Sequence, residues 1–108
     1  MHGPVRVAWF RSFTKSAEAR GYDWHLDIDD IAAIYEVQGG RCALTGWPIA
    51  WSAVGWDHTA SIDRIDNDQG YVLGNVQLVH KSVNMARGTM AVGDFVEMCQ
   101  AVADKVKW

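Results

Sequence analysis

The sequence predicts a small single α+β domain, in which a central hairpin runs straight into a short helix and is packed by N- and C-terminal helices. Three observations predict it. The chain has 108 residues, enough for one core and too few for two. Its middle holds two extended patterns, "TASIDRI" and "YVLGNVQLV", separated by the turn-forming "DNDQG". Both ends carry apolar residues at helical spacing. The expected layout is a helical part over residues 1–38, a hairpin–helix core over 40–88 and a C-terminal helix over 92–107.

The elements follow in order. Pro4 fits the first turn of a helix, with Trp9, Phe13 and Ala17 on one face, Arg11 and Lys15 on another, and Gly21 as a stop. Asp27 or Asp29 can cap a second helix that carries Ile31, Ile34, Tyr35 and Gln38 and ends at Gly39-Gly40. Thr45-Gly46 and Pro48 break "RCALTGWPIAW" into short extended pieces, and residues 52–58 form a loop. The hairpin turns near Asn67 to Gly70, so that residues 63–64 lie across from 73–75. His80 to Arg87 is a short helix closed by Gly88. In the last helix Asp94 is the N-cap, and Phe95, Met98/Cys99 and Ala101/Val102 point inward.

Composition excludes some functions. No apolar run approaches the roughly 18 residues of a membrane span, and "MHGPVRVAWFRS" lacks the apolar stretch of a signal peptide. A cytoplasmic protein with Cys42 and Cys99 as reduced, buried thiols is expected. The net charge of −3 argues against a bulk electrostatic grip on nucleic acid. The charge is uneven, however: Arg6, Arg11, Lys15 and Arg20 face a single Glu18 within residues 1–20. Arg11 and Lys15 are candidate phosphate contacts or simply a solvated helix face. The 6 tryptophans are expected in and around the core before any base-stacking role.

The hairpin brings chemistry together. Its turn places Asp63, Arg64 and Asn75 near one another, and the helix behind it carries Asn84 back over the strands. A carboxylate and a carboxamide oxygen converging in this way suit one hard divalent cation, Mg2+ or Mn2+. Asp66, Asn67, Asp68 and Gly70 read as turn chemistry.

The stretch "SIDRIDNDQGYVLGNVQLVHKSVN" resembles the ββα-metal (His-Me finger) motif of HNH endonucleases, in the variant found among phage and mobile-element proteins. The resemblance covers roughly residues 40–88. It implies that Asp63 and Asn84 are the metal ligands, that Asn75 is the middle Asn of the motif, and that Arg87, with Lys81 nearby, meets phosphate. It also implies a metal-dependent DNA endonuclease or nicking enzyme in a phage-infected or prophage-bearing cell. A protein partner or a homodimer would supply targeting.

Two positions depart from the pattern. Arg64 stands where the family has its general-base histidine, and a guanidinium accepts no proton at neutral pH. Arg64 is left to stabilise transition-state charge, and the base falls to His58, His80 or Asp66. Asp57-His58 repeats the family's Asp-His dipeptide five or six residues too early. The paired cysteines of zinc-bearing relatives are reduced to Cys42-x-x-Thr45 and His80-x-x-Val83, so no structural zinc is expected. The alternative function is a catalytically degenerate HNH fold that binds nucleic acid or protein.

Overall fold

In the computed structural model, which describes residues 3–52 and 57–106, the elements are α1 (Val7–Ala19), α2 (Ile28–Val37), β1 (Ala60–Arg64), β2 (Val76–His80), α3 (Lys81–Arg87) and α4 (Val92–Val106). The described residues thus form a small α+β fold with four helices and one two-stranded antiparallel sheet. His2, residues 53–56 of the expected loop and Lys107 of the expected last helix lie outside the described residues.

Local chemistry accounts for most of the element ends. Helix α1 starts at Val7, later than Pro4 suggests, because Arg6 is extended and Val5 is tucked into the core. Gly21, at φ +83, closes it while the Tyr22 amide reaches back to the Ala17 carbonyl. Helix α2 is capped by Asp27, whose carboxylate accepts from the Asp30 amide while the Asp30 side chain accepts from the Asp27 amide. His80 caps α3, its Nδ1 accepting from the Ser82 amide at 3.1 Å.

The hairpin register differs from expectation. Asp63 pairs with Gln77 and Arg64 with Val76, two residues beyond the predicted partners. Residues 71–75 do not extend β2. Tyr71 instead bridges to Trp24, its amide donating to the Asp23 carbonyl at 2.8 Å, and the chain turns again before entering the strand. Gly70 makes that docking possible: a Cβ there would lie 2.6 Å from the Asp23 carbonyl oxygen. A residue read as turn chemistry is therefore a close-approach glycine.

The core sits between the hairpin and the helices. Ile31 of α2, Ile62 of β1, and Leu78 and Val79 of β2 are almost wholly buried. Beside them Trp9, Phe13, Trp24, Trp51, Tyr71 and His58 form a chain of ring contacts with centroids 4.8–5.9 Å apart. Trp47 stands apart, edge-on to His80 and half exposed.

Helix α4 departs most. It begins at Val92, which places Asp94 in the first turn rather than at the N-cap. Of its expected inward residues only Phe95 is buried; Met98, Cys99, Ala101 and Val102 are exposed. An apolar groove of about 490 Å³ separates the helix from α3 and the Leu44–Trp47 loop, so its middle turns meet no packed surface there. Among the described residues, no helix is long and apolar enough to cross a membrane.

Candidate functional site

Asp63 lies on β1 with its side chain turned into the protein and only 3% exposed. One carboxylate oxygen forms an ion pair with Arg87 Nη1. The other accepts from Nε2 of Gln77, its cross-strand partner, at 2.9 Å. Both oxygens are therefore engaged from inside the fold.

Arg87 is 2% exposed and reaches this carboxylate from α3. Its Nε donates to the Met90 carbonyl at 2.8 Å. Besides Asp63, Nη1 donates to the Arg64 carbonyl at 2.9 Å. Nη2 donates to the Ile65 carbonyl at 3.3 Å and to Asn67 Oδ1 at 3.2 Å. A guanidinium has five N–H donors, and here each has an acceptor. Arg87 was expected to meet a phosphate; it is instead an interior hub joining β1, the hairpin loop and the segment after α3.

Asn75 stands just before β2, its carbonyl accepting from the Ile65 amide. Its side chain braces the loop. Oδ1 accepts from the Asp66 amide at 2.8 Å, and Nδ2 donates to the carbonyls of Asp66 at 3.1 Å and Gly70 at 2.9 Å.

Arg64 projects the other way, toward a polar cleft of about 250 Å³ lined by Arg20, Tyr22, Asp63, Asn84 and Thr89 among others. Its Cζ sits 3.9 Å from the centre of the Tyr22 ring, and its Nη1 donates to the carbonyls of Asn67 and Gln69 at 2.7 and 3.1 Å. Arg20, at the end of α1, approaches the same ring at 5.4 Å. Asn84 donates through Nδ2 to Ser61 Oγ at 2.7 Å.

The structure thus brings Asp63, Arg64 and Asn84 to one cleft, but the donor set does not fit a divalent cation. With Asp63 paired to a guanidinium, the other expected ligand is the neutral amide of Asn84. A dication at Asp63 would sit beside a buried positive charge, where repulsion is poorly screened. Among the described residues no group of three or more His, Cys, Asp or Glu side chains gathers as a metal site.

The remaining candidates lie elsewhere. His58 is in the aromatic cluster: Nδ1 accepts from the Ser52 amide at 3.2 Å, so Nε2 carries the proton and donates to the Ala60 carbonyl at 2.9 Å. Neither ring nitrogen is available to a water in the cleft. Burial first, then the charges of Lys81 and Arg6, lower the His58 pKa below its ordinary 6.5, against the hydrogen bonds to Ala60 and Ser52. The unfolded chain therefore binds this proton more readily. Stability from the neutral imidazole is complete above about pH 6.5 and falls as the pH drops toward the lowered folded-state value. Urea unfolding at several pH values should show that loss, and His58→Gln should lack it; equal slopes in the two proteins would refute the assignment.

His80 caps α3 and meets Trp47. Asp66 caps its own loop, Oδ1 accepting from the Asp68 amide and Oδ2 from Gln69. Cys42 is buried; burial acts to raise its pKa, but the Thr45 side chain and the backbone at His80, Leu44 and Thr45 outweigh that and lower it. Arg11 and Lys15 are exposed on α1, where they border a shallow groove rather than the cleft. Lys81 opens α3, its amide donating to the Thr59 carbonyl. Arg20 and Tyr22 line the cleft although neither was singled out as a site residue. Arg20 belongs to the basic leading segment, and its place in the cleft beside Arg64 of β1 is set by tertiary packing rather than by local sequence.

Over 82 residues, 76% of its length, the chain is 33% identical to a phage protein, the "Uncharacterized 29.0 kDa protein in dda-modA intergenic region" of Enterobacteria phage T4. The match takes in 32% of that protein, so the chain spans about a third of its relative. No family model and no solved structure matches the chain.

Proposed function

We propose that the chain is a ββα nucleic-acid-binding module of the HNH kind that grips phosphate without hydrolysing the backbone. The observation that carries this reading is the charge balance of the cleft. Arg20 and Arg64 converge on Tyr22, and the one carboxylate lining the cleft, Asp63, is engaged by Arg87. Among the described residues neither guanidinium has a carboxylate partner, and two such groups beside an aromatic ring suit a phosphate oxygen or a base. Against hydrolysis stand the engagements of the three candidate bases, His58 in the aromatic cluster, His80 through Nδ1 as the cap of α3 and Asp66 within its own loop, and Arg64 cannot serve.

Fluorescence anisotropy with labelled duplex DNA, single-stranded DNA and RNA tests the proposal. Binding should be weak and steeply salt-dependent, and Arg20→Ala and Arg64→Ala should each reduce the log–log salt slope on duplex DNA by roughly 1. No binding at low salt to any of the three would defeat it.

A second reading, the metal-dependent DNA endonuclease, is favoured by the convergence of Asp63, Arg64 and Asn84 on one cleft. Nicking of supercoiled plasmid in Mg2+ or Mn2+ by wild-type protein, abolished in Asn84→Ala, would put that reading first.

A further inference from the structure

We infer that Arg87 is the resident cation of the hairpin–helix unit, doing the charge-balancing and cross-linking expected of a divalent ion, so that the unit is held together without metal. Asn84 and Arg87 are three residues apart on α3, so they lie on neighbouring parts of one helix face. From there the guanidinium enters the space between helix and hairpin. It neutralises the carboxylate expected to hold the ion and ties it to three backbone carbonyls and one amide oxygen.

Those contacts resemble what an oxygen-seeking ion collects: one anionic oxygen and several neutral ones drawn from separate segments. The difference is permanence. An arginine is covalently part of α3, stays charged at every accessible pH and cannot be chelated away. Gln77 completes the arrangement by taking the carboxylate oxygen that Arg87 leaves. The inference does not depend on nucleic-acid binding, because every contact it uses lies inside the fold.

Two measurements test it. Wild-type protein should show the same melting temperature in EDTA and in millimolar Mg2+ or Mn2+, and no saturable Mn2+ binding by calorimetry or electron paramagnetic resonance. The Arg87→Ala variant should melt lower in EDTA and bind Mn2+, with partial recovery of the melting temperature, and adding Asp63→Asn should abolish that binding. Saturable Mn2+ binding by the wild type that Asp63→Asn removes would overturn the inference. So would an Arg87→Ala variant as stable in EDTA as the wild type. If Arg87→Ala does not fold, the wild-type titration decides alone. The anisotropy assay reads nucleic-acid binding separately, so either proposal can fail without the other.

Discussion

Asp63→Ala is expected to cost about 3–5 kcal/mol of folding stability, the largest effect of any single substitution proposed for this protein. A domain of ordinary stability has roughly 5–15 kcal/mol in total, so much of the margin is at stake. The cause is what remains behind. Arg87 would stay 2% exposed, with its neutral acceptors intact and its counter-charge gone. Gln77 would lose the acceptor for its Nε2 at the same time. Replacing both members of the pair, as in Asp63→Leu with Arg87→Met, should cost less than the separate losses added together, because no buried charge is stranded. Urea denaturation of the wild type, the two single variants and the double variant completes the cycle. A loss under about 1 kcal/mol for Asp63→Ala would mean that the pair does not hold the hairpin to α3. The result also governs how activity data are read: lost function in Asp63→Ala identifies a chemical role only where the fold is shown to be intact.

Features fixed by neighbouring residues were legible in the sequence. The Asp27 cap, the stop at Gly21, the close of α3 at Gly88 and the order hairpin-then-helix each depend on local backbone chemistry. Features that depend on distant partners were not. The register moved by two residues because Tyr71 is claimed by the strand-like segment at Asp23–Trp24, 47 residues earlier by its bridge to Trp24, which no local pattern records. On α4, periodicity defines an apolar face but not a surface for it to meet, which is why Met98, Cys99, Ala101 and Val102 are exposed against expectation. Arg87 shows the limit most clearly. A lone arginine near the end of a helix reads the same whether solvated or buried, and its acceptors lie at residues 63, 64, 65, 67 and 90. Resemblance to the HNH motif points to Asp63, Asn75, Asn84 and Arg87, but it carries no information on burial, and the structure buries Asp63, Asn75 and Arg87.

Asn75→Ala is expected to cost about 2–3 kcal/mol, from three side-chain hydrogen bonds at roughly 1 kcal/mol each. Its amide holds both ends of the loop, taking the Asp66 amide on one side and the carbonyls of Asp66 and Gly70 on the other. Water can replace part of this, since Asp66 is exposed, which keeps the cost below that of the buried ion pair. Asn75→Asp separates the two halves of the role. It keeps an acceptor for the Asp66 amide but sets a carboxylate oxygen against two carbonyls, so it should rescue little. Amide exchange localises the effect: in Asn75→Ala the Asp66 amide should exchange much faster, while the buried Leu78 amide, which donates to Gln38 Oε1 at 3.0 Å, keeps its protection. Unchanged protection at Asp66 would show that the loop holds itself. The consequence reaches the cleft, because Arg64 is anchored to the carbonyls of Asn67 and Gln69 in this same loop. If the cleft binds nucleic acid, loosening the loop should weaken that binding, through an asparagine that does not itself line the cleft.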